Sequence, residues 1–265
     1  MSHLMNNYGR LPVSFDHGQG VWLWDKEGHK YLDALAGIAV NSVGHAHPRL
    51  VRAIADQASK LIHCSNYFNI DLQEKVAEKL VEHSGLEAVF FCNSGLEANE
   101  CAIKIARKFG HAKGIEVPNI IVLKHAFHGR SIATLSATGN PSVREDFSPY
   151  TEGFIFVDES DLDGIRKIVE ENKNVVAIFF EPILGEGGVV PIDLSVIKGI
   201  REICDEHDLL MMCDEVQCGM GRSGKWFAHQ WAEIKPDVIT MAKGLAGAKN
   251  LYYVTCPLQS EYNAE

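Results

Sequence analysis

The chain has no run of basic residues: its 25 Lys and Arg are scattered among 35 Asp and Glu, for a formal net charge of -10. A nucleic-acid surface needs clustered positive charge, so no nucleic-acid partner is expected. No uncharged apolar stretch approaches membrane-spanning length, so no membrane partner is expected either. The opening residues, MSHLMNNYGRLPVSF, lack a basic head leading into an apolar run, which argues against a signal peptide. The seven cysteines (64, 92, 101, 204, 213, 218 and 256) contain no CxxC pair, and several lie in apolar runs as small hydrophobes do. That usage excludes a disulfide framework and fits a reducing, cytoplasmic setting. Repeats and low-complexity segments are also absent. What remains is a 265-residue chain, 46% hydrophobic and 23% charged, of ordinary globular make-up. It is long enough for one large domain or two modest ones, and its natural partners are small molecules.

Residues 21–35, VWLWDKEGHKYLDAL, predict a short hairpin around a Glu27-Gly28 turn. Helices are predicted over 48–61 and from 71 to a stop at Gly85, with His83 in the last turn. Apolar runs then alternate with helical patterns. AVFFCNSG (88–95) precedes the helix LEANECAIKIARKFG (96–110), and NIIVLKHAFHG (119–129) leads into a loop. VVAIFFEP (175–182) and LLMMCDEV (209–216) flank the helix SVIKGIREICDEH (195–207), and DVITMAKG (237–244) comes last. This order predicts an α/β fold with a mainly parallel sheet flanked by helices. Residues 1–48 read as an N-terminal segment, 49–248 as the large domain, and 249–265 as an atypical tail.

In such a sheet ligands bind beyond the carboxyl ends of the strands. In NSGLEANE (93–100), Ser94 and Glu97 spell a capping box, in which Glu97 would reach back to the cap. The same geometry, with close approach at Gly95, offers an anion seat for phosphate, and the residues alone do not separate the two readings. Phe127 of FHGR suits packing or ring stacking, and Arg130 suits solvent or a carboxylate gripped by two contacts. Asp214 leaves an apolar strand, where a lone carboxylate needs a cation such as a protonated pyridine nitrogen. Glu215 is read as an acid for a supporting ion pair, and Gln217 as a donor to a phenolate oxygen. GEGG (185–188) turns Glu186 towards substrate. Lys243 either reaches solvent or condenses with an aldehyde as a Schiff base.

Phosphate seat, ring stacker, acid and amine are together what pyridoxal 5'-phosphate requires. Gly219, Gly221 and Gly224 spell GxGxxG, but DEVQC separates them from the strand and no clean helix opens after them. A nicotinamide enzyme is therefore a distant alternative. His45-x-His47 and His125-x-x-His128 have no third ligand at sensible spacing, so metal is not expected and these are read as loop or packing histidines.

NSGLEANECAIKIAR, FHGR, EPILGEGG, DEVQCGMGRSGKWFAHQ and the lysine of TMAKGL occur in the order seen in class III pyridoxal-phosphate aminotransferases. The front end, GVWLWDKEGHKYLDALAGIAVNSVGHAHP, resembles that family too, so the likeness runs from about Phe15 to Gly244. Within it the motifs resemble members acting on N-acetylornithine, with ornithine, succinyl-diaminopimelate or 4-aminobutyrate as alternative donors.

The resemblance implies the large domain of a fold type I transferase and a homodimer using an amino acid and 2-oxoglutarate. It implies that Lys243 carries the cofactor and shuttles a proton, and that Asp214 keeps the ring nitrogen protonated. Gln217 would bond the ring oxygen, Phe127 would stack, and Ser94, Gly95 and Leu96 would seat the phosphate, the last two through backbone N–H groups. Arg130 would grip the substrate α-carboxylate, and Glu186 would act in switching between half-reactions. Relatives continue beyond the lysine into a C-terminal domain, whereas the tail here resembles no family segment. A truncated or frame-altered member is therefore expected, with sheet-completing segments missing and an uncovered sheet face. Such a chain would bind cofactor weakly or persist as a non-catalytic remnant.

Overall fold

A computed structural model describes residues 3–246 and the strand at 252–255. The chain divides into two compact units, Met1–Ser65 and Asn66–Glu265. The first is built on an antiparallel meander of β1 (Phe15–Gln19), β2 (Trp22–Asp25) and β3 (Lys30–Leu32). The predicted hairpin joins β2 to β3. Gly28 takes φ 87°, a left-handed conformation that costs glycine little. Asp25 fixes the turn: its Oδ1 accepts from the N–H of Glu27 (3.0 Å) and of His29 (2.8 Å), and its Oδ2 from the Tyr31 hydroxyl (2.9 Å). Asp33 does similar work at the short helical turn α1 (Ala36–Ala39), accepting from Ala36 N–H while its other oxygen meets His45 Nε2 at 2.6 Å. Helix α2 (Pro48–Ala58) starts on proline, which suits a first-turn position, and stops short of the expected 61.

The second unit opens with α3 (Asp71–Ser84), closed as predicted by Gly85 at φ 71°. Next come β4 (Val89–Cys92), α4 (Gly95–Ala112) and β5 (Asn119–Leu123). Two short helices follow, α5 (Ile132–Ala137) and α6 (Pro141–Arg144), before β6 (Phe154–Val157), α7 (Leu162–Glu171) and β7 (Val175–Phe180). A small ribbon of β8 (Ile183–Leu184) and β9 (Val190–Pro191) leads to α8 (Leu194–His207), β10 (Leu210–Glu215), β11 (Val238–Met241) and β12 (Tyr252–Thr255). Seven strands make one sheet in the order β4-β12-β11-β10-β7-β5-β6. Only β12 is reversed, pairing antiparallel with β11 and with β4.

The strands read as continuous apolar runs because both faces of the sheet are covered. Ile121, Ile178, Phe180, Met211 and Cys213 pack on one face with Ile165 of α7 and Ile197, Ile200 and Ile203 of α8. Ile120, Val122, Ala177, Phe179 and Met212 pack on the other with Ala98, Ala102 and Ala106 of α4. All six residues of β7 are buried.

Besides β1, α1, α5, α6 and the β8-β9 ribbon, three elements of the sheet and its cover were not predicted: β6, α7 and β12. β6 is short and only partly buried at the sheet edge, so its signal is weak. The α7 signal, an Asp161 cap accepting from Gly164 N–H ahead of Ile165 and Val169, was present but passed over. The third overturns an expectation: the tail supplies β12, so a sheet-completing strand is present, and its YYVT is rich in β-formers. The rest of the 249–265 tail lies outside the described residues.

Candidate active site

The neighbouring tips of β7, β10 and β11 hold one row of polar residues. Cys213 pairs with Phe180 and Asp214 with Thr240, so one step beyond Phe180 Glu181 lies beside Asp214. Asp214 is 2% exposed. Its Oδ2 accepts from Asn99 Nδ2 (2.7 Å) and bonds His128 Nδ1 (2.8 Å), and its Oδ1 accepts from Val216 N–H (3.0 Å). Glu215 alternates to the opposite face, as successive strand residues must. There it accepts from the N–H groups of Ala228 (2.7 Å) and His229 (2.8 Å) and meets His229 Nδ1 at 2.9 Å. Glu215 thus secures the 3-10 turn Ala228–Ala232. Its expected supporting ion pair resolves to a histidine and two amides.

His128 packs, as expected, and also serves the site. It is 1% exposed and stacked on Phe179 with ring centroids 4.1 Å apart, and it orients the Asp214 carboxylate. Asn99, which sequence reasoning missed, spends both amide hydrogens here, one on Asp214 and one on the His128 carbonyl (2.7 Å). A buried asparagine in an alanine-lined helix stripe was the available signal, since such a group needs partners. Two other histidines of these pairs have carboxylate partners, His45 with Asp33 and His125 with Glu159 at 2.9 Å.

At the start of α4, Ser94 Oγ accepts from Glu97 N–H at 3.1 Å. Glu97 reaches back to Asn93 N–H, one residue earlier than a capping box requires. Gly95 and Leu96 are the first two helical residues, so their N–H groups have no intrahelical acceptor. A Cβ on Gly95 would stand 2.8 Å from Val216 Cγ1 and 3.1 Å from Ala242 Cβ. The glycine is therefore what lets the helix start approach the tips that carry Gln217 and Lys243. Leu96 packs towards Gly129, where an added Cβ would come within 3.3 Å of Leu96 Cγ.

Lys243 follows β11 in a left-handed conformation, φ 47°, unusual for a side chain with a Cβ. Burial lowers its pKa, opposed by the negative charges of Asp214, Glu181 and Glu186. An amine so placed is more readily neutral and nucleophilic. Beside it the buried Thr240 Oγ1 has no hydrogen-bond partner among the described residues. Glu181, a strand-tip acid to which the sequence reading gives no role, is 4% exposed and accepts from Phe127 N–H (2.8 Å) and Gly185 N–H (3.0 Å). Gln217 packs on Gly185, where a Cβ would lie 2.4 Å from its Oε1. Arg130 is exposed, its guanidinium carbon 5.9 Å from the Phe127 ring centre, and Glu186 is exposed on the ribbon turn.

The glycines of GxGxxG open no α-helix. Gly221 (φ 84°) and Gly224 (φ 92°) sit in successive turns that lead to the 3-10 turn. The residues converge instead on a different chemistry. A buried acid with amide and imidazole partners suits a cation, a helix start suits an anion, and a desolvated amine suits an aldehyde.

A sequence profile of the family Aminotransferase class-III matches residues 4–258. The acetylornithine aminotransferase of Nitrosomonas europaea is 54% identical over 245 residues, covering 92% of this chain and 62% of that protein. Acetylornithine aminotransferase 1 of Bordetella parapertussis is 52% identical over 246 residues, 93% of this chain and 63% of the relative. Among solved structures, the Toxoplasma gondii ornithine aminotransferase superposes with a TM-score of 0.91 at 33% identity, covering 96% of this chain and 61% of that one. The N-acetylornithine aminotransferase of Stenotrophomonas maltophilia gives 0.81 at 38% identity, covering 94% and 63%. The chain thus spans about three-fifths of the length of the relatives it matches.

Proposed function

The chain belongs to the class-III aminotransferases, a pyridoxal-phosphate-dependent family, and on that premise we propose that it serves N-acetylornithine transamination in arginine biosynthesis. The amino group lost from the donor's terminal carbon would be accepted by 2-oxoglutarate. The observation that carries this reading is the meeting of buried Asp214 and Glu181 with half-buried Lys243 at neighbouring strand ends. When bound, pyridoxal phosphate supplies an electron sink for the carbon that loses its proton. The residues present fit that group, because the acid, the amine and the helix start each have the partner they need in it.

Each residue then has a physical task. Asp214, aimed by Asn99 and His128, holds the proton on the ring nitrogen. The Gly95 and Leu96 N–H groups, with Ser94 at the cap, receive the phosphate. Phe127 covers one ring face and Gln217 donates to the ring oxygen. Lys243 would hold the cofactor at its aldehyde end, and its amine would carry the proton that leaves the donor's carbon. Arg130 would grip the donor's α-carboxylate, directing its terminal amine to the cofactor. Glu186 exchanges partners between the two half-reactions.

Acetylornithine is favoured as donor by relatives at 54% and 52% identity that carry that activity in their names. The Toxoplasma superposition keeps ornithine as a second reading. We further infer a homodimer, supported by Phe68 standing 67% exposed, as an apolar side chain awaiting cover would. A cytoplasmic setting is supported by the free thiols at Cys64, Cys204, Cys213 and Cys218. Among the described residues no helix is long and apolar enough to cross a membrane. Single-turnover amine transfer from acetylornithine, ornithine, succinyl-diaminopimelate and 4-aminobutyrate tests the assignment. Acetylornithine should react fastest, and a clear preference for another donor would replace it.

A further inference from the structure

Glu181 is the buried acid that the reaction leaves without a task. Its two oxygens accept from two different loops, Oε1 from Phe127 N–H at 2.8 Å and Oε2 from Gly185 N–H at 3.0 Å. It leaves β7, which lies between β5, the strand leading to Phe127, and β10, the strand leading to Gln217. Gly185 in turn is pressed against the Gln217 amide so closely that a Cβ there would fall 2.4 Å from Oε1. One carboxylate therefore sets the relation between an aromatic ring on one side of the row and an amide donor on the other. A buried carboxyl is costly to keep, and an apolar residue at a strand tip would carry no such burden. Its retention at this spot is explained by the two N–H groups it holds.

Resting on the pyridoxal-phosphate reading above, we propose that Glu181 is a positioning residue of the cofactor seat, clamping the Phe127 and Gly185 loops so that ring stacker and ring-oxygen donor stay in register. Burial, then the Asp214 charge, push its pKa up to about 8, with Lys243 drawing the other way. The charged or titratable groups that face it are Asp214, Lys243 and Cys218. A cation held between the two acids favours the ionised form, which is the form that accepts both N–H groups best.

The test uses the full chain with the substitutions Glu181→Gln and Glu181→Asp. Three readouts are taken: pyridoxal-phosphate affinity by titration of the apoprotein, the pH midpoint of the visible band of lysine-linked cofactor, and apoprotein unfolding. Glu181→Gln loses one charge-assisted acceptor, so affinity should fall about tenfold. Its visible band should also titrate at lower pH, because a negative charge near the Lys243 nitrogen is gone. Glu181→Asp keeps the charge but is too short to hold both loops, so it should keep the midpoint and lose affinity. Variants that unfold more easily yet match the parent in affinity and midpoint would reduce Glu181 to a scaffold residue and overturn the proposal. A parent without any visible band would sink the cofactor reading itself, whereas a parent with the band and unaltered variants would sink only the role of Glu181. If Glu181→Gln fails to fold, Glu181→Asp alone decides on affinity.

Discussion

At the scale of single residues, adjacent acids take opposite fates. Asp214 and Glu215 leave the same strand tip, and alternation sends one to the α4 face and the other to the 3-10 turn. That two acids end an apolar strand was legible in the sequence, as was the need of one for a cation. Which partners aim Asp214 was not, because Asn99 and His128 lie 115 and 86 residues away along the chain. Asn99→Ala deletes a donor to a buried carboxylate and should cost about 1.5–3 kcal/mol, read by urea unfolding. An unchanged midpoint would remove Asn99 from the network. Glu181 gives a pH prediction. Its folded pKa of about 8 lies above the ordinary glutamate value of 4.5, so the stability it contributes is full below about 4.5 and lost as pH rises through 8. Apoprotein stability should therefore decline over that window, and Glu181→Gln should flatten the decline.

At the scale of elements, packing decides what a sequence reveals. The strands β5, β7 and β10 were legible as apolar runs because α4 covers one face and α7 with α8 the other. β6 and β12 were not, being short and flanked by residues without a regular period. Phe179 joins the two levels: fully buried in the α4-side core, it also carries the stacked His128 ring. Phe179→Ala should cost about 3–5 kcal/mol in chemical denaturation, and its loss of cofactor affinity should exceed that of an equally destabilising change remote from the site. The helix start makes a sharper prediction. Gly95→Ala places a methyl group 2.8 Å from Val216, so α4 must withdraw from the β10 and β11 tips. Pyridoxal-phosphate affinity should fall more than stability does, and equal losses would deny the seat at that helix start.

At the scale of the whole molecule, the class of chemistry was legible before the fold, because residues scattered from Ser94 to Lys243 each had a partner in one cofactor. The fold then supplied the reason the acids meet the amine, the neighbouring ends of β7, β10 and β11. The chain spans 62% of the Nitrosomonas relative and 63% of the Bordetella one, so the donor is read from relatives that are longer than it is. The central claim needs less: only that Lys243 and Asp214 serve one small molecule. The visible spectrum of the purified chain with added pyridoxal phosphate, set beside that of Lys243→Ala, tests it most directly. A yellow band in the parent that bleaches on adding acetylornithine, and is missing from Lys243→Ala, is the predicted result. The same band in both proteins, or in neither, would contradict it.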